Sequence, residues 1–146
     1  TLLWKAWPRF PVSIDGRMDV YRGEPLERGR KALSGDPEWK EALEGAHAVL
    51  LRTDRPLVRI LDRHPDWETV YFDQNAAVFV RRGDCPTVRR LVHVTPTRGP
   101  DRPGDAEEIQ GRIGELEYLL AWSPGFEQGY RALETLRTRL YTPPPP

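Results

Sequence analysis

The chain has 146 residues, enough for one ordinary domain with a sizeable core and a small appendage. Its 22 basic and 22 acidic side chains cancel, which argues against a nucleic-acid partner and against an acidic tail. A single cysteine, Cys85, rules out an internal disulfide and a cysteine-based zinc site, and no apolar run approaches the roughly 20 residues of a membrane span. Lysine occurs only at positions 5, 31 and 40, so the basic side chains are almost all arginine, a bias typical of a GC-rich genome.

Phe10-Pro11-Val12-Ser13-Ile14 alternates apolar and small residues before the turn signal Asp15-Gly16, which predicts a strand over Pro11–Ile14. From Pro25 the period becomes helical and stops near Ser34-Gly35. Asp36-Pro37 restarts a helix with Asp36 as cap, Trp39, Ala42 and Leu43 as its apolar face and Gly45 as its stop. The run Ala46–Leu51 reads as a strand buried on both faces. Asp54 is the expected cap of a third helix with Leu57, Val58 and Leu61 in one stripe. Glu68–Phe72 and Ala76–Arg81 flank Asp73-Gln74-Asn75 and predict a hairpin.

The alternation of strands and helices predicts an α/β fold. Its small mixed sheet would have three parallel strands and one antiparallel hairpin strand, covered by helices. Residues 1–82 form this α/β domain. Residues 83–104 hold four prolines among arginines and read as a connector, with room for an added edge strand at Leu91–Val94. Residues 105–140 carry two apolar stripes, Ile109, Ile113, Leu116 and Leu120, then Phe126, Tyr130, Leu133 and Leu140. They predict an antiparallel helix pair ahead of the Pro-rich tail 141–146. The start at Thr1 and the end in four prolines read as cuts in a longer polypeptide, and Thr1–Phe10 lacks the features of a secretory leader.

Ligands of parallel α/β sheets collect at the carboxyl ends of strands, so the loop Asp15–Tyr21 is the leading candidate site. Asp15, Arg17, Asp19 and Tyr21, joined by Asp73 at the same edge with Arg52 and Asp54 nearby, are candidates for a polar or phosphorylated ligand. The competing reading makes Asp15 and Arg17 the internal ties of the loop. The histidines 47, 64 and 93 show no metal spacing, Cys85 has no histidine beside it in sequence, and there is no phosphate loop or nucleophile elbow. The expectation is therefore no catalytic residue, no metal and no cofactor.

Leu3-Trp4, Trp7-Pro8, Pro11-Val12-Ser13-Ile14-Asp15-Gly16-Arg17-Met18-Asp19-Val20-Tyr21, Pro65–Asp73 and Ala77–Arg82 occur in an order that resembles a known domain. It is the soluble C-terminal domain of bacterial and archaeal multi-spanning membrane proteins of the glycosyltransferase C type, relatives of the dolichyl-phosphate-mannose-protein mannosyltransferases. Where that family has a bulky apolar residue, this chain has Ser13. The resemblance covers roughly Leu3–Arg82. It implies an extracytoplasmic, non-catalytic accessory domain whose partners are the membrane-embedded part of the same polypeptide and a glycan or protein acceptor. Leu119-Leu120-Ala121, Pro124 and Ala132-Leu133 are similar to the junction between tetratricopeptide repeats over about one repeat. A free-standing ligand-binding domain or enzyme using Asp15-Gly16-Arg17, and a helical interaction module, are the alternatives.

Overall fold

The computed structural model describes residues 24–99 and 104–141. The chain divides into two compact units, residues 1–44 and 45–146.

Within the first unit, α1 (Glu24–Ser34) packs on the single-turn α2 (Trp39–Ala42). Gly35 ends α1 at φ 81°, a backbone conformation open to glycine at little cost. The bonds Asp36 N–H to Lys31 O (3.2 Å) and Gly35 N–H to Ala32 O (2.9 Å) close the helix end in a Schellman arrangement. Asp36 then accepts from the Glu38 N–H at 3.0 Å, and Ala32 and Trp39 are buried.

In the second unit, β1 (Ala48–Arg52) leads through α3 (Pro56–Leu61) to β2 (Trp67–Phe72), which turns back into β3 (Ala76–Arg81). The sheet order is β1-β3-β2 and both pairings are antiparallel. This overturns the expected mixed sheet: none of the described strands pairs in parallel, and Pro11–Ile14 lies outside the described residues. β1 and β2 share a direction without touching, because β3 inserts between them. The physical reason lies in burial. β1 alternates exposed and buried residues and leaves Leu50 64% exposed, so it is an edge strand and not the strand buried on both faces expected from its apolar run. The continuous run Ala77–Val80 has that role, with Ala77, Phe79 and Val80 all buried in the centre.

A bulge interrupts β2, where Thr69 pairs with Phe79 but Tyr71 pairs with Val78. Val70 is the extra residue, and the phase of the strand changes there, so that Thr69 and Val70 are both buried. α3 buries Leu57, Val58 and Leu61. Its cap position is Arg55, with no side-chain cap bond; the expected cap, Asp54, pairs instead with Arg52 at 2.8 Å.

The segment 83–99 contains no strand. Leu91 donates its N–H to Thr69 O at 2.8 Å, and that single bond replaces the edge strand expected at Leu91–Val94. Two helices follow, α4 (Ala106–Trp122) and α5 (Glu127–Tyr141), which pack on one another as expected. Asp105 caps α4 by accepting from the Glu108 N–H at 2.8 Å. The α5 stripe is shifted from the expected one. Phe126, Ala132, Leu133 and Leu136 are buried, whereas Tyr130 is exposed. Gly129 leaves room for two side chains: a Cβ there would meet the Phe126 ring at 2.6 Å and, across the helix pair, Leu120 of α4 at 3.2 Å.

Candidate functional site

Of the sequence-derived candidates, Asp15, Arg17, Asp19 and Tyr21 lie outside the described residues. Asp73 follows β2, and the structure brings the end of β1 to the same edge through the antiparallel pairing of both strands with β3. Thr53 donates its N–H to Asn75 O (3.1 Å) and its hydroxyl to Asp73 O (2.9 Å). Arg52 and Asp54 flank that threonine and bond to each other, not to Asp73.

The Asp73 carboxylate is buried and fully engaged. One oxygen, Oδ1, accepts the N–H groups of Asn75 (2.7 Å) and Ala76 (2.9 Å), which shapes the hairpin turn. The other, Oδ2, accepts the hydroxyls of Tyr71 (2.6 Å) and Ser123 (2.8 Å). Ser123 is the residue after α4, so this carboxylate ties the hairpin tip to the helical turn. Gln74 repeats the tie by donating to Gly125 O at 3.0 Å, and the Phe72 and Phe126 rings meet edge to face at 5.7 Å. Burial by itself would raise the Asp73 pKa, but the bonds from Tyr71, Asn75, Ala76 and Ser123 outweigh it and hold the carboxyl below its ordinary value. Burial, then the bond to Asp73, pushes the Tyr71 phenol upward. A carboxylate has about four acceptor positions, and all four are filled here. Asp73 therefore serves as a clasp, with no lone pair left to take a substrate proton.

Two further buried or half-buried carboxylates, neither among the sequence-derived candidates, also accept from donors of the scaffold, four bonds at Asp62 and three at Glu115. Asp62, at the end of α3, accepts from the Thr69 hydroxyl (2.6 Å), the Thr95 hydroxyl (2.8 Å) and the Thr97 N–H (2.9 Å), and also from the Thr97 hydroxyl. Glu115, in the middle of α4, accepts the consecutive N–H groups of Val92 (2.8 Å), His93 (2.9 Å) and Val94 (2.7 Å). Glu115 stands off the predicted stripe Ile109, Ile113, Leu116 and Leu120, so the helical period gives no signal that it is buried.

The histidines are placed separately. His47, at the start of β1, is exposed and its Nδ1 lies 2.7 Å from Asp84 Oδ2. His64 ends the turn after α3, with the Asp66 N–H bonding its Nδ1 at 3.3 Å. His93 is half-buried with its ring against Gly111, where a Cβ would stand 2.5 Å from it. Among the described residues no group of three His, Cys, Asp or Glu could hold a metal ion. Cys85 is half-buried and free of a disulfide. The buried cation Arg112 gives Nη2 to Glu108 at 2.8 Å, while its Nε and Nη1 have no hydrogen-bond partner among the described residues.

No family model, no curated protein and no solved structure matches this chain. Among the described residues no helix is long and apolar enough to cross a membrane.

Proposed function

We propose that this chain is a non-catalytic accessory domain, the extracytoplasmic part of a glycosyltransferase-like membrane protein, which positions an acceptor or stabilises the parent. One observation carries the non-catalytic part: Asp62, Asp73 and Glu115 spend their oxygens on donors of the scaffold. A general base needs a free lone pair within reach of its substrate. The membrane parent is supported by the residue pattern in Leu3–Arg82, whose later pieces, Pro65–Asp73 and Ala77–Arg82, form the β2–β3 hairpin.

Two measurements test the reading. Purified chain incubated with nucleotide sugars and polyprenyl-phosphate sugars, each with peptide and glycan acceptors, should give no transfer product; turnover that Asp15→Ala abolishes would overturn the non-catalytic part. The gene upstream of Thr1 should encode several apolar spans of about 20 residues. A start codon directly before Thr1 removes the membrane parent.

A further inference from the structure

We propose that the outer face of α3 is a docking strip for anionic lipid headgroups, which turns the sheet half of the 45–146 unit toward a membrane surface. The proposal rests on the membrane-parent reading above and adds the surface and its partner.

Arg52 ends β1, Arg55 stands at the cap position of α3, Arg59 lies one turn further on and Arg63 in the turn that follows the helix; all four are exposed. The opposite side of α3 is apolar and buried, so the arginines have only one way to face. Asp54 is shared by Arg52 at 2.8 Å and Arg55 at 3.8 Å. The guanidinium groups of Arg59 and Arg63 have no carboxylate or hydrogen-bond partner among the described residues. Asp62 stands between them in sequence, but its oxygens are turned inward onto Thr69, Thr95 and Thr97.

The neutral total charge conceals a segregation that points the same way. Residues 45–99 hold nine arginines against six carboxylates, whereas residues 104–141 hold four against seven. Of the six, Asp62, Glu68 and Asp73 are engaged inside the fold. A negative surface therefore attracts the sheet half and repels the helical half, which orients the unit as well as binding it. Guanidinium groups match phosphate in a two-bond fork, and each basic residue near an anionic leaflet adds a further increment of affinity. Tethering to a membrane part would make even a weak strip effective, because the headgroups are then at high local concentration.

The test is co-sedimentation of the full 146-residue chain with vesicles at low ionic strength. Vesicles of equimolar phosphatidylcholine and phosphatidylglycerol should retain the protein, pure phosphatidylcholine much less, and added salt should release it. The double variant R59S/R63S should partition about tenfold or more weakly to the anionic vesicles. A control on the helical half, R131S/R139S, should bind as wild type does. The tryptophans at positions 4 and 7, a residue type enriched at membrane surfaces, are common to all three proteins, so the difference reads the strip alone. Equal partitioning of wild type and R59S/R63S, or no preference for phosphatidylglycerol, overturns the proposal. So does capture of an acidic protein or a polynucleotide by the strip without vesicle binding. Upstream apolar spans without vesicle binding sink the strip and leave the accessory reading standing; vesicle binding without such spans does the reverse.

Discussion

The sheet half and the helical hairpin of the 45–146 unit reach order by different routes. The hairpin is ordered by apolar packing: Leu116, Leu119 and Leu136 are fully buried, with Gly129 allowing close approach. Among the described residues the sheet half has three strands, and its irregular segment 83–99 joins no ladder. It is held by carboxylates that gather hydroxyls and backbone N–H groups, above all Asp62 and Glu115. Small sheets expose polar backbone that a side chain must satisfy if no further strand does. The helical half satisfies its own backbone and needs only apolar burial.

The largest expected effect breaks each half at its own anchor. Leu116→Ala should cost about 2–5 kcal/mol, as large-to-small changes at fully buried sites do. Asp62→Ala removes the acceptor of Thr69, Thr95 and Thr97 together, at about 1–3 kcal/mol for each donor left unpaired. Chemical denaturation measures both losses. Hydrogen exchange separates them: Asp62→Ala should release residues 95–99 first, and Leu116→Ala should expose α4 and α5. A global and identical exchange pattern in both would refute the division.

A smaller effect tests the clasp that joins the halves. Asp73→Asn should cost about 1–3 kcal/mol near neutral pH, because an amide cannot accept all four bonds. The Asp73 pKa is held low in the folded state, so its contribution is present above the ordinary carboxylate value and lost as pH falls through the folded one. The gap between wild type and Asp73→Asn should therefore hold down to about pH 4 and close below it. A gap unchanged in acid would show that the charge of Asp73 does not contribute.

The smallest effect lies where a loop residue meets α4. Alanine in place of a helical glycine gains about 0.5–1 kcal/mol, but at Gly111 its Cβ would stand 2.5 Å from the His93 ring. Gly111→Ala alone should come out near neutral, and stabilising by about 0.5–1 kcal/mol once His93→Ala has cleared the space. Equal melting shifts in the two backgrounds would remove the contact as the cause.

Local chemistry was the legible part of this fold. The Gly35 helix end, the Asp73-Gln74-Asn75 turn and both C-terminal helices follow from residues near one another in sequence. Strand order was not legible, because Ala46–Leu51 and Ala76–Val80 are both apolar runs and nothing local says which is central. The buried faces of β3 are decided by partners far along the chain. For the same reason the pairings of Asp62 and Glu115 are not legible: the donors are Thr69, Thr95 and Thr97 for one and residues 92–94 for the other, and sequence spacing carries no sign of them. Asp73 stands out in the sequence by its place after a strand, which marks it as a ligand candidate and gives no sign of its bonds to Tyr71 and Ser123.

Glu115 links the timing of two segments. The amides of Val92, His93 and Val94 sit outside any helix or strand, yet they bond to a carboxylate on the middle of α4. An amide exchanges with solvent only when its acceptor lets go. These three amides should then exchange slowly and together, on the clock of whatever opening frees the Glu115 side chain. An irregular stretch would thus share one cooperative opening with the helix it leans on, and slow exchange there would report on α4.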